Sequence, residues 1–192
     1  MRSTLAEMAS AATGVACGDA TSMHWRFLPF YEDACLIRIR NVDWKRGPGF
    51  SLFFLHAGGR LHWLDGSSNA IHAVNAIAPI RLNDWNVIAY LRFFAYFIRG
   101  ASGNAFLVVQ GGDDPMLPSK TSPAARAIID SLAYPPKVEG RTDSGDYVCR
   151  AAVLHRGDLY DTELGVASNG ETTMLRDRLL AQLPFKAVAP LR

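Results

Sequence analysis

The chain is poor in the features that announce a compartment, a cofactor or a reaction. Among 192 residues there are 3 cysteines, Cys17, Cys35 and Cys149. They are odd in number and far apart, which argues against a disulfide framework and fits a reducing, cytoplasmic setting. Charge of one sign is equally scarce: 20 Lys and Arg against 18 Asp and Glu give a net charge of +2. That balance lacks the electrostatic footprint of a nucleic-acid binder. A membrane span needs roughly 20 apolar residues, and Asp84, Asn86, Arg92 and Arg99 interrupt the most apolar segment well before that. At the N-terminus, Glu7 falls where a secretory apolar core would lie, and Gly14 stands where a lipoprotein signal carries a leucine-like residue.

Catalytic signatures are missing too. There is no glycine-rich phosphate loop, no GxGxxG, no HExxH and no CxxC. Gly66-Ser67-Ser68 does not make the G-x-S-x-G turn of a nucleophile elbow. Neither a cofactor nor a metal is expected. Cys35 and Cys149 fall on inward-facing strand positions, where a free thiol packs as a small hydrophobe.

What is there is a globular composition, 49% hydrophobic and 20% charged. The chain is organised around the stretch from Leu82 to Gln110. Asn83 or Asp84 is placed to cap a helix over Asp84–Arg99. Val87, Leu91, Phe94 and Ile98 recur at helical spacing on one face. Trp85, Phe93 and Phe97 extend the apolar surface almost around the cylinder, so the helix is expected to be buried on more than one side. Arg92, Tyr96 and Arg99 form its one polar stripe, the candidate interface. Gly100 suits a left-handed C-cap. After a turn at Ala101–Asn104, the apolar run Ala105–Val109 reads as an interior strand.

Before this helix, residues 1–22 are expected to be a mobile N-terminal segment containing a short helix near Thr4–Ala12. His24 and Trp25 precede the first expected strand, Ala34–Arg40. A breaker-rich loop covers Asn41–Gly49. Phe50–Ala57 and Arg60–Leu64 flank Gly58-Gly59, a tight hairpin of the primed type. This register pairs His56 with Leu61 and Leu55 with His62, so the two histidines lie on opposite faces. The stretch Asp65–Asn75 is small and polar at a strand end, with Ser67 placed to cap a short helix through His72 and Val74. Such a turn offers backbone N–H groups and hydroxyls to an anion or polar ligand. Asp65, Ser67, Ser68, Asn69, His72 and Asn75 are therefore the ligand-binding candidates, with His72 as a general base if the chain is an enzyme.

Beyond the central stretch, Gly111–Pro123 reads as a long loop in which Asp113 and Asp114 are solvated turn formers. Ser122-Pro123 opens a helix over Ala124–Leu132, which Tyr134-Pro135-Pro136 ends. Strands at Tyr147–Leu154 and Leu159–Ala167 pair so that Arg150 faces Glu163 and Ala152 faces Asp161. Asn169-Gly170 turns the chain into a third strand, Glu171–Leu175, before a short helix at Arg176–Leu183.

The expected architecture is α+β: a mainly antiparallel sheet of two meanders, Ala34–Leu64 and Tyr147–Leu175, packed on the central apolar helix of about residues 84–99. Residues 23–192 are expected to form a single domain, with Gly111–Pro123 the only plausible boundary. The function that fits is a cytosolic binding or protein-interaction module whose partner is another protein or a second copy, not nucleic acid or a membrane. Exposed aromatics, Trp25, Trp44 and Trp63 among them, suit an interface. The alternative is a small hydrolase or transferase with its site at the Asp65–Asn75 turn.

Overall fold

A computed structural model describes residues 2–17, 21–41, 44, 50–100 and 103–184. Most of the expected 41–49 loop lies outside them, as do residues 18–20 of the expected mobile segment and 101–102 of the turn after the central helix. The fold is α+β and its strands are antiparallel. No helix among the described residues is long and apolar enough to cross a membrane. The chain divides into two compact units, Met1–Arg81 and Leu82–Ala189.

The first unit contains helix α1 (Arg2–Thr13), strands β1 (Thr21–Phe27), β2 (Ala34–Asn41), β3 (Leu52–Ala57) and β4 (Arg60–Trp63), and helix α2 (Asn69–Ile77). The strands form a meander in the order β1-β2-β3-β4, each paired with its sequence neighbour. The hairpin register is the one its two glycines dictate: Ala57 opposes Arg60, His56 opposes Leu61, and Leu55 opposes His62. Gly58 and Gly59 take φ of 55° and 72°, the left-handed values that a primed turn needs. Ala9 of α1 packs with Ile37, Ile39, Leu52 and Phe54. Ile71 and Val74 are the buried positions of α2, which lies against β3 and β4.

Strand β1 precedes the first expected strand and forms the edge of this sheet beside β2. Its residues Thr21 to Phe27 pair with Asn41 back to Cys35 without interruption. The reading missed it because none of its seven residues is buried. Only Met23, half-buried, meets the core on its apolar face, so the alternation marks no buried stripe.

The second unit contains α3 (Val87–Phe97), β5 (Leu107–Val109), α4 (Pro123–Leu132), β6 (Lys137–Arg141), β7 (Tyr147–His155), β8 (Asp158–Val166) and β9 (Thr172–Gln182). Strands run in the order β5-β7-β8-β9, and β6 lies beside the first half of β7 while β5 lies beside the second. The β7–β8 register is the expected one, with Arg150 opposite Glu163 and Ala152 opposite Asp161. One sheet face carries Val109, Ala152, Leu154 and Leu159 against Ile129 of α4 and Leu117. The other face is buried as well, through Val108, Cys149, Ala151 and Val166.

Asn86 is the residue before α3, and Asn83 caps the turn that leads into it. The Asn83 side-chain oxygen accepts from the N–H groups of Trp85 (2.9 Å) and Asn86 (3.1 Å), and Asn86 returns the favour by accepting from the Asn83 N–H at 2.8 Å. This is a capping box with asparagine at both ends. The helix buries Val87, Tyr90, Leu91, Phe93, Phe94 and Phe97, so it is covered on most sides. Trp85 departs from the expectation: it sits in the capping turn, not on the helix cylinder, and is 95% exposed. Gly100 is not a left-handed cap either. Ile98 already has extended geometry, φ −83° and ψ 140°, because Arg99 bridges to Ala105 and pulls the chain straight off the helix end.

The expected C-terminal helix is a strand. Residues 176–182 continue β9 along β8, down to Gln182 opposite Asp158. The register shifts leave Leu175 and Leu180 as extra residues on β9. Two bulges break the period of two and leave leucines at positions 175, 179, 180 and 183, a spacing that imitates a helix.

Candidate interaction surface

The candidate ligand-binding turn is occupied by its own side chains. Asp65 Oδ1 accepts from both the N–H and the hydroxyl of Ser67 at 2.8 Å. Ser67 is therefore not the helix cap. Ser68 holds that position, in helical geometry and without a side-chain cap bond. Asn69 opens α2 and is exposed; His72 is half-buried on the same helix. Asn75 Oδ1 accepts from the Tyr31 hydroxyl. The structure thus joins Asp65 to Ser67 and ties Asn75 to Tyr31.

The polar stripe of α3 is likewise committed locally. Arg92 Nη2 lies 2.9 Å from each carboxylate oxygen of Asp114. Arg99 folds back on its own helix end, donating to the Tyr96 carbonyl at 2.8 Å, with its guanidinium 6.0 Å from the Tyr96 ring centre. Burial lowers the pKa of Arg99. Tyr96 packs partly against the core beside α4. Asp114, expected to be solvated, is 2% exposed, whereas Asp113 beside it is exposed as expected.

Two polar clusters were not foreseen as units. On the second sheet, Asp161 accepts from Arg150 (2.8 and 2.6 Å), Arg178 (3.0 Å) and the Tyr134 hydroxyl. Hydrogen bonding from Arg150 holds the Asp161 carboxyl well below the usual carboxylate range. Burial, followed by the bond to Asp161, pushes the Tyr134 phenol up to about 12. The derived Ala152–Asp161 register placed one member of this cluster but could not bring in Tyr134, which lies outside the strands. Among the described residues, no group of three His, Cys, Asp or Glu side chains is arranged to hold a metal.

The second cluster lies on β1 and β2. Period two puts Met23, Trp25 and Phe27 on one face of β1 and Ser22, His24 and Arg26 on the other. Met23 reaches the core under α1. Trp25 and Phe27 run past it and are 66% and 68% exposed, their rings edge-to-face at 5.3 Å. On the opposite face His24 is directly across from Arg38, and Arg40 from Ser22. Arg26, Arg38 and Arg40 are exposed, and among the described residues none of them is in an ion pair. Arg38 Nε donates to Ser51 Oγ at 3.0 Å. None of the four strands of this sheet contains an Asp or Glu. The outer edge of β1 is paired with no other strand among the described residues. The sequence signal for all this was the alternation Thr-Ser-Met-His-Trp-Arg-Phe itself.

These features define an α+β chain with two antiparallel sheets and an open, aromatic and basic sheet edge. No protein-family model matches it, and neither a curated protein nor a solved structure does.

Proposed function

We propose that the chain is a non-catalytic protein-interaction module that docks its partner at β1. The observation that carries this reading is the exposure of Trp25 and Phe27 side by side on a sheet edge that pairs with no other strand among the described residues. Large aromatics lose little conformational entropy on contact and dominate binding energy at interfaces. A free edge also offers a row of backbone donors and acceptors, which an added strand satisfies. A cytoplasmic setting is part of the proposal, supported by three free cysteines.

A random peptide-display selection against the immobilised chain tests it. Enriched peptides should bind the wild type in solution and fail against a Trp25→Ser/Phe27→Ser variant that keeps the wild-type circular dichroism. A selection that enriches nothing, from a chain that light scattering shows to be monomeric, would end this reading.

A further inference from the structure

We infer that the occupant of the β1 edge is an extended acidic segment of another protein, with apolar and acidic residues in alternation, added as a fifth strand. The inference rests on the interaction-module reading and names its partner chemistry. Its ground is the way β1 sorts its side chains. Trp25 and Phe27 project to one face and His24 and Arg26 to the other, so a ligand lying on either face alone meets only half of the surface. A nucleic-acid strand stacks bases and neutralises phosphates along one track. A membrane interface likewise needs aromatics and cations directed to the same side. In β1 they are directed to opposite sides. An added strand runs between the two faces and uses both, because its own side chains alternate in the same way.

Charge decides what that strand carries. Its residues on the Trp25 side meet Trp25 and Phe27, which calls for apolar side chains. Those on the other side meet His24 and Arg26, with Arg38 and Arg40 one strand further in, at about 5 Å per strand. No carboxylate stands on the four strands, and among the described residues Arg26, Arg38 and Arg40 make no ion pair, so this face presents positive charge. Glutamate or aspartate at alternate positions completes it. A second copy brings no counter-charge. Antiparallel pairing of two β1 strands about Trp25 sets each Arg26 opposite a His24, and pairing about His24 sets it opposite a Ser22, so neither register brings a carboxylate to the basic face. Either arrangement doubles the arginines on that face.

The test uses the full chain and three blocked peptides long enough to span β1: alternating Glu and Val, alternating Lys and Val, and a Glu/Val peptide of equal composition without the alternation. Fluorescence anisotropy should show binding of the first only, weakening as salt rises. The charge-reversed double variant Arg26→Glu/Arg38→Glu should lose the Glu/Val peptide by about tenfold or more and gain the Lys/Val one. Amide hydrogen exchange should show new protection at β1 in the complex. Equal binding of the two Glu/Val peptides would reduce the effect to bulk charge and overturn the inference. So would retained binding in the charge-reversed variant, a ligand-free dimer protected at β1, or binding of anionic vesicles or an oligonucleotide in place of the peptide. If display selects peptides that need Trp25 and Phe27 yet carry no acidic residues, the acidic-strand inference fails while the interaction module stands. If nothing is selected, the module reading fails first.

Discussion

Replacing Asp114 should unfold the second unit's loop more severely than its place in a polar turn suggests. The Asp114 side chain is fully buried, and Arg92 is 22% exposed. Each carboxylate oxygen accepts from Arg92 Nη2 at 2.9 Å, and one backbone N–H is added to each: Met116 at 2.9 Å and Gln110 at 3.1 Å. Asp114→Ala therefore strands a half-buried guanidinium and two loop N–H groups at once. Breaking a buried pair by removing one partner costs about 3–5 kcal/mol, most of it the uncompensated charge left behind. At about 2–4 °C per kcal/mol for a chain of this size, the melting temperature should fall by about 6 °C or more.

Asp114→Asn keeps the shape but turns donors toward donors, and loses the charge-assisted bond to Arg92, for about 2–3 kcal/mol. Asp113→Ala next door should stay within about 0.5 kcal/mol, as an exposed position should. Urea unfolding of these three variants, with Arg92→Ala and the Arg92→Ala/Asp114→Ala double variant to close the cycle, measures the pair directly. A loss below about 1 kcal/mol for Asp114→Ala would put the pair in the class of surface ion pairs and refute the reasoning.

Three further outcomes follow from single sites. Gly112→Ala should cost about 3 kcal/mol or more in the same assay, because a Cβ there would lie 2.3 Å from the Arg126 carbonyl oxygen, a backbone atom that cannot step aside. Gly111→Ala meets the movable end of Asp130 at 3.3 Å and should cost clearly less. For Asp161, a folded pKa below the unfolded value of about 4 means stability that is present above that value and lost as pH falls below it. Asp161→Asn should therefore lower the urea midpoint at neutral pH and flatten its decline between about pH 5 and 3; an unchanged decline would remove this carboxylate from the acid response. Burial pushes the Cys149 thiol up to about 11, so in a native thiol titration at pH 8 it should react last, or only on unfolding.

How much of this was legible in the sequence depends on whether a segment's neighbours are near in the chain. The Gly58-Gly59 hairpin and the Arg150–Glu163 register were readable because turn chemistry fixes both strands at once. Asn83 as a capping residue ahead of α3 was readable because its side chain bonds within its own turn, while the return bond from Asn86 was not foreseen. Asp114 was not, because its partner Arg92 lies 22 positions earlier on a helix, and only packing brings the loop onto it. The bulged end of β9 failed for a different reason: its two extra leucines erase the alternation that marks a strand and write a helical one in its place.

Strand β1 failed for the reason that makes it interesting. A strand is recognised by the face it buries, and β1 buries none of its seven residues. Its alternation is as clean as that of β2, yet past the half-buried Met23 both kinds of side chain, Trp25 and Phe27 on one face and His24 and Arg26 on the other, stand in solvent. For the inner strands, the partner that absorbs each face lies within the chain. For β1, Phe27 opposite Cys35 and Arg26 opposite Leu36 show that the inner edge is fully used by β2. The outer edge, with one apolar and one cationic side, pairs with no strand among the described residues. In the proposed reading, alternation that runs on past Met23 to Trp25 and Phe27, where the core no longer covers it, is the pattern an added strand completes.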